Sequence, residues 1–296
     1  MKKKWTSLKE IGKIINKEKF MKKEILIAIT ILIIILIGII YFSQKSNKTD
    51  EKNLEIYFFQ AGKADAILIS KNEKYMLIDT GESSLSTTIL NYLKEKNIHR
   101  LEYLIITHFD KDHVGSASKI IDQIEIGQVL QSNVPKESEY YENYLNSLSK
   151  KEITPITVTK EEIYPFSDIE IKVIGTDTIY EKNSSNNSSL IVSMTNQNNK
   201  FLLMGDCENA RIKDFLTSNE ETYDFIKIPY HGNYLKRLEE LIDETSPTYG
   251  VMTCSKEEGC EEETIEVLNK KKIKYYMTKN GSIRIISNGD KITIKQ

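Results

Sequence analysis

Residues 104–116 read Leu-Ile-Ile-Thr-His-Phe-Asp-Lys-Asp-His-Val-Gly-Ser, and no other stretch constrains the fold as tightly. The apolar β-type run of Leu104, Ile105 and Ile106 stops abruptly. His108, Asp110, Asp112 and His113 then fall within six positions, although the whole chain has only four histidines. Buried β residues that deliver a polar cluster to their C-terminal end are a common way to hold a site rigidly. Neutral imidazoles and carboxylates are ordinary ligands for Zn, Mn or Fe. A solvated acidic turn would not gather half the chain's histidines.

Two other runs end alike. Residues 201–206, Phe-Leu-Leu-Met-Gly-Asp, are a strand that stops at Asp206. Residues 225–231, Phe-Ile-Lys-Ile-Pro-Tyr-His, are another that stops at His231. Three strands that each finish on a ligand type predict one sheet edge carrying a shared metal site. The fourth histidine, His99, sits in a polar connection and reads as a solvated loop residue.

The chain opens differently. Nine lysines precede residue 25, and residues 25–42 are then uncharged and almost wholly Ile and Leu. Eighteen helical residues rise about 27 Å, close to the hydrocarbon thickness of a bilayer. No small-residue cleavage site follows, which argues against a signal peptide. The reading is a cytoplasmic basic segment at 1–24, a transmembrane helix at 25–42 and a polar tether at 43–53. The lysine bias places the N-terminus in the cytoplasm and the large domain, 54–296, outside.

That domain is long enough for one sizeable core. Strand patterns at 54–59, 66–70, 75–78, 153–158, 162–164, 169–174, 190–194, 249–252 and 273–276 alternate with helical patterns at 85–97, 117–124, 138–148, 208–216, 235–243 and 262–269. A last hairpin turns at Asn288-Gly289-Asp290. The formal charge of −2 gives no global argument for nucleic-acid binding, so any affinity for anions is local. Of three cysteines, Cys254 and Cys260 are spaced to close a short loop in an oxidising compartment or to remain two thiols. Asp65 reads equally as a site residue and as a local turn residue.

The cluster at 107–115 resembles the H-x-H-x-D-H signature of the metallo-β-lactamase-like hydrolases. It is closer to the T-H-x-D-x-D-H-x-G variant of the ComEC competence-protein group. Asp79-Thr80-Gly81 resembles that group's D-T-G, residues 202–206 its L-L-x-G-D, residues 186–190 its N-N-x-S-L, and residues 228–233 its V-P-H-H-G-S with Tyr230 in the first His place. Residues 60–66 resemble its V-G-Q-G-D-A turn with Ala64 in place of a Gly. The family's N-x-Y-x-H-P stretch is replaced by residues 254–260.

The resemblance implies a four-layer αββα sandwich with metals at one edge. One ion would be held by His108, Asp110 and Asp206, and a second by Asp112, His113, Asp206 and His231. The third His of the first position is missing. Zn2+ is the default, and the oxygen-rich set also suits Mn2+ or Fe2+. Asp79 would support the ligand loop from behind, with Asp65, Asn187 and Ser189 lining the site. Lys63 or Tyr230 would stabilise charge on a leaving oxygen, and Asp112 and Asp206 would act at the reacting centre. The implied activity is hydrolysis of a phosphodiester such as DNA. The alternatives are an ester, lactone or β-lactam substrate, or a metal-binding module without turnover. The chain carries none of the group's long polytopic channel, so transport by itself is not expected.

Overall fold

Two parallel stretches of sheet bring the ligand-bearing strands to a common edge. The computed structural model describes residues 21–41, 53–182 and 184–296. Residues 1–20 and 42–52, which carry most of the basic segment and the tether, lie outside the described residues.

The first unit is a single described helix, α1, Met21–Tyr41. Its 21 residues rise about 31 Å, and it is long and apolar enough to cross a membrane. Its Thr30 hydroxyl donates to Leu26 O at 2.8 Å, so the polar group is satisfied within the helix.

In the second unit, the first sheet holds β1 (Leu54–Phe58), β2 (Ile67–Lys71), β3 (Lys74–Ile78), β4 (Arg100–Ile106), β5 (Glu125–Gln131), β6 (Ile156–Thr157), β14 (Ile283–Ser287) and β15 (Ile292–Lys295). Its order is β15-β14-β1-β2-β3-β4-β5-β6. The second sheet holds β7 (Glu161–Phe166), β8 (Ile169–Ile174), β9 (Ile191–Asn196), β10 (Asn199–Leu203), β11 (Phe225–Lys227), β12 (Tyr249–Met252) and β13 (Lys274–Met277). Its order is β13-β12-β11-β10-β9-β8-β7.

Three apolar layers show how these pack. Ile56, Phe58, Ile69 and Ile105 of the first sheet meet Val173, Val192, Phe201 and Phe225 of the second in one core. The outer face of the first sheet is covered by α2 (Ser86–Glu95), α4 (Ala117–Gln123) and α5 (Glu139–Lys150) through Ile89, Leu93, Ile120 and Tyr144. The outer face of the second is covered by α7 (Asn209–Ser218), α8 (Leu238–Thr245) and α9 (Glu262–Lys270) through Ile212, Phe215, Leu241 and Leu268. This is the four-layer αββα sandwich. Strands buried on both faces explain the near-continuous apolar runs at 104–106 and 201–204.

Some elements differ from the sequence reading. The pattern at 153–158 yields only the two-residue β6, whose side chains are exposed. The sequence shows a short apolar pair at Val129-Leu130, but β5 is longer because Glu125, Ile126 and Gln128 also pair with β4. Short helices at Lys111–Val114 (α3) and Ser184–Asn187 (α6) interrupt two polar loops.

β3, β4 and β5 run parallel in one sheet, and β10, β11, β12 and β13 run parallel in the other. Side chains just past the C-terminal ends of parallel strands line a crevice, which is where α/β sheets place ligands.

A candidate metal centre at the sheet edge

Asp79, one residue past β3, builds the first half of the site. Its backbone is left-handed, φ +54°, and its N–H donates to Ile105 O at 2.8 Å. That turn sends its buried carboxylate towards β4. Oδ1 accepts from Thr107 N at 2.8 Å, and Oδ2 accepts from Thr107 Oγ1 at 2.7 Å. Oδ2 also lies 2.8 Å from His113 Nδ1. Thr80 holds His113 again, since its N–H and its hydroxyl both donate to His113 O, at 2.7 and 2.8 Å. With Nδ1–H committed to a carboxylate, His113 presents the lone pair of Nε2 to the crevice.

The other half rests on an unusual turn. Tyr230, His231 and Gly232 follow β11 with φ of +53°, +55° and +80°. Two successive non-glycine residues in the left-handed region cost on the order of 1–3 kcal/mol each. The turn persists because its neighbours grip it. Tyr230 N donates to Gly205 O at 3.2 Å, Cys260 N to His231 O at 3.1 Å and Glu261 N to Gly232 O at 3.0 Å. A Cβ on Gly232 would sit 2.7 Å from Met252 Sδ, so the position also needs glycine for space. Cys254 and Cys260 are disulfide-bonded, which closes the loop that supplies one of these grips.

His231 is oriented from behind as His113 is. Its Nδ1 faces Thr253 O at 3.1 Å and Thr253 Oγ1 at 3.0 Å. The Thr253 hydroxyl donates to Asp65 Oδ1 at 2.5 Å, and Asp65 lies 3.4 Å from the same ring nitrogen. His231 Nε2 is left 3.0 Å from Asp206 Oδ2, 3.3 Å from Asp112 Oδ2 and 3.4 Å from His113 Nε2.

Asp206 completes the group. Its N–H donates to Ser189 Oγ at 3.2 Å, and its Oδ2 lies 3.4 Å from His113 Nε2. Gly205 before it has φ +51°, and a Cβ there would stand 3.1 Å from Ser189 Cβ and 3.2 Å from Thr107 Cβ. Behind Asp206 lies the fully buried Lys227, whose ammonium is 2.5 Å from Asp65 Oδ2, 3.6 Å from Asp206 Oδ1 and 2.8 Å from Gly205 O.

One ligand atom from each of Asp112, His113, Asp206 and His231 lies within 4.8 Å of the others. Two imidazole nitrogens and two carboxylates suit a transition-metal ion. Among the described residues, His108 Nε2 and Asp206 Oδ1 are also buried with no hydrogen-bond partner, which is costly unless something else takes them. The residues therefore fit a metal.

The electrostatics of the metal-free cluster agree. Burial works to lower the His231 pKa, but Asp206 and the hydrogen bonds to Asp112, Asp206 and Asp65 raise it to about 10. His113 is likewise buried, yet Asp206 and Asp79 hold it well above the usual imidazole range. Burial pushes Asp206 up, and the charges on His231 and His113 pull it well below the usual carboxylate range. His108 goes the other way, down to about 4, because burial and the neighbouring His113 charge both oppose protonation. Protons thus stand in for positive charge between acidic groups.

The description Metallo-beta-lactamase superfamily matches residues 60–254. The chain belongs to this superfamily. Among solved structures of the same fold, the metallo-beta-lactamase fold protein YhfI from Bacillus subtilis superposes with a TM-score of 0.56 at 10% identity, covering 82% of this chain and 100% of that one. Recombination protein 2 of Haemophilus influenzae is 25% identical over 227 residues, 75% of this chain and 26% of that protein. ComE operon protein 3 of Bacillus subtilis is 22% identical over 256 residues, 78% of this chain and 32% of that protein. The chain thus spans a third or less of the length of these curated relatives.

Within this metallo-β-lactamase fold, the other residues singled out by sequence take distinct places. His108 Nδ1 lies 3.2 Å from Thr107 Oγ1 and 3.3 Å from Ser189 Oγ, so Ser189 touches both His108 and Asp206. Asp110 Oδ1 is 3.9 Å from His108 Nε2, 2.5 Å from Lys136 Nζ, and accepts from the Ser185 hydroxyl. Lys63 sits on the rim, 5.7 Å from the centre of the Tyr230 ring and 3.9 Å from Glu258 Oε2. Asn187 is spent on backbone: its Oδ1 accepts from Arg211 N at 3.1 Å and its amide donates to Lys182 O at 3.2 Å. It ties its turn to α7. Ala64 is not among the left-handed residues, so its methyl costs nothing in the turn. His99 is exposed.

Sequence reasoning passed over Thr107, Lys136, Ser185, Lys227 and Thr253. The Thr107 signal was present, as the residue between an apolar strand and a ligand. Lys227 carried a signal too, since a lysine flanked by Phe225, Ile226 and Ile228 breaks an otherwise buried run. Lys136, Ser185 and Thr253 had none, because their partners are remote in sequence.

Proposed function

We propose that the chain is a membrane-anchored, metal-dependent hydrolase acting on a phosphodiester outside the cell. The observation that carries this reading is the convergence of four ligand atoms within 4.8 Å, each imidazole fixed from behind and Asp112 left 21% exposed to solvent. A catalytic ion keeps a coordination position for water, and the partly exposed Asp112 marks the side from which water would reach it.

Asp112, His113, Asp206 and His231 would hold the principal ion, with zinc the default. Such an ion lowers the pKa of water from 15.7 to about 7 and so supplies a nucleophile at neutral pH. Asp79 and Asp65 keep the ligand imidazoles in one tautomer and one orientation. Lys227 neutralises charge behind Asp206, which keeps two buried acids, Asp65 and Asp206, ionised side by side. The Lys63 ammonium and the Tyr230 hydroxyl, neighbours of each other, would stabilise charge on a leaving oxygen. Burial raises the Tyr230 pKa, so the phenol keeps its proton to donate.

A phosphodiester is favoured by two partly exposed lysines, Lys136 on Asp110 and Lys63 over the Tyr230 ring, and by relatives named for recombination and a ComE operon. The lysine-rich flank before α1 supports a cytoplasmic N-terminus. A disulfide in the large domain supports an oxidising exterior.

The test is hydrolysis by the full chain in detergent, loaded with zinc or manganese. Bis(p-nitrophenyl) phosphate and single-stranded DNA are compared with p-nitrophenyl acetate and a β-lactam. Cleavage of the phosphodiesters, lost in Asp112→Ala and His231→Ala, is the expected result. Preference for a carbonyl substrate transfers the reading to ester or lactam hydrolysis, and no turnover leaves a metal-binding module.

A further inference from the structure

Asp110 is held in a way that the rest of the metal centre is not. The oxygen nearest His108 Nε2, Oδ1 at 3.9 Å, is the same oxygen that meets the Lys136 ammonium at 2.5 Å and the Ser185 hydroxyl. Lys136 follows β5 and Ser185 lies in α6, so the two donors come from opposite sheets. The segments are pinned to each other, as the Ser132 hydroxyl lies 3.0 Å from both Ser188 O and Ser188 Oγ. The closure over Asp110 is therefore part of the fold and not a stray surface side chain.

An ion joining His108 to Asp110 would lie about 2.0–2.2 Å from a carboxylate oxygen. On Oδ1 it would share that oxygen with an ammonium only 2.5 Å away, so two positive charges would crowd one acceptor. Yet His108 Nε2 and Asp206 Oδ1 are buried without a hydrogen-bond partner, Asp206 Oδ1 having the Lys227 ammonium at 3.6 Å. The first position thus has an imidazole and a carboxylate at hand, with Lys136 holding the carboxylate, while among the described residues the lysine close to Asp112, His113, Asp206 and His231 is Lys227 behind Asp206. The Lys136 side chain is 38% exposed, so an anion arriving from solvent can reach it without any part of the core moving.

We propose that Lys136 competes with a first-position cation for Asp110 and is the residue that binds the anionic oxygen of the substrate. An anion that draws the ammonium off Asp110 frees that carboxylate for the ion. Substrate binding and occupancy of the first position then favour each other, as linkage requires.

This rests on the metal-dependent reading but is tested without turnover. The full chain in detergent is stripped of metal and titrated with Mn2+, with and without inorganic phosphate, as wild type, Lys136→Met and Lys136→Arg. In the wild type, the second equivalent of metal binds at least about tenfold more weakly than the first, and phosphate narrows the gap. In Lys136→Met the gap narrows about tenfold without phosphate, and phosphate affinity for the metal-loaded protein falls about tenfold. Lys136→Arg keeps the wild-type pattern. Unchanged metal and phosphate affinities in Lys136→Met overturn the proposal. So does a change in only one of them, because the same ammonium is assigned both jobs. Hydrolysis could still be found in that case, and absent hydrolysis would leave the titration result standing.

Discussion

His113 and His231 point their Nε2 atoms at each other across 3.4 Å, although 118 residues separate them along the chain. Two imidazoles set that close, each with Nδ1 engaged from behind, leave their lone pairs facing one small volume. Without a cation, protons must fill it.

Metal uptake should therefore release protons. His231, raised to about 10, and His113, raised well above 6.5, are both charged at neutral pH in the metal-free protein. A bound ion must displace both protons, so affinity rises with pH across the neutral range. Calorimetry in buffers of different ionisation enthalpy should report a release of about two protons per ion at pH 7.

The same shift fixes how the metal-free protein responds to alkali. A folded-state pKa raised from 6.5 to about 10 gives stability that is full below pH 6.5 and lost as pH rises through 10. With a chelator present, Tm should fall steadily between pH 7 and 10. With metal present, that fall should shrink or reverse.

Asp79 offers a clean probe of the support behind a ligand. Its φ of +54° suits Asn nearly as well as Asp, so Asp79→Asn keeps the turn and removes only the charge. Metal affinity should weaken about 10–100-fold, with the circular dichroism spectrum unchanged. Unaltered affinity would remove Asp79 from the site.

Lys227 should matter more for stability than its place in a strand suggests. Lys227→Met leaves Asp65 and Asp206 buried without their cation and should cost about 3–5 kcal/mol. Adding Asp65→Asn should restore part of that loss. Denaturant unfolding of the two single variants and the double variant measures the coupling.

The disulfide holds a ligand as well as a loop. Cys260 N–H donates to the carbonyl of His231 itself, and Thr253 beside Cys254 orients the His231 ring. Closing so short a loop is worth about 2 kcal/mol. Cys254→Ala with Cys260→Ala should lower Tm and weaken metal binding, while an exposed cysteine pair would change neither.

Much of this was legible in the chain. Strands ending in His108, Asp206 and His231 stood out because each is an apolar run stopped by a ligand type, and the sandwich came from the family resemblance, with which the alternating strand and helix periods agree. The long apolar stretch at 25–42 was visible from composition, and the described helix begins four residues earlier, at Met21. What stayed hidden depends on remote pairing. Nothing local to Lys136 reveals that it meets Asp110, and the apolar run around Lys227 marks it as unusual without naming the two acids it lies between. Asn187 is a related case: its side-chain oxygen accepts from Arg211 N of α7, a remote partner that its own loop does not reveal. The cysteine pair stayed open because spacing permits a bond without supplying its geometry.

The most direct test of the account is anomalous diffraction from crystals of the zinc- or manganese-loaded protein. The account predicts a peak within about 2.0–2.2 Å of His113 Nε2, His231 Nε2 and one oxygen each of Asp112 and Asp206. A peak held by other residues, or none at saturating metal, would contradict it.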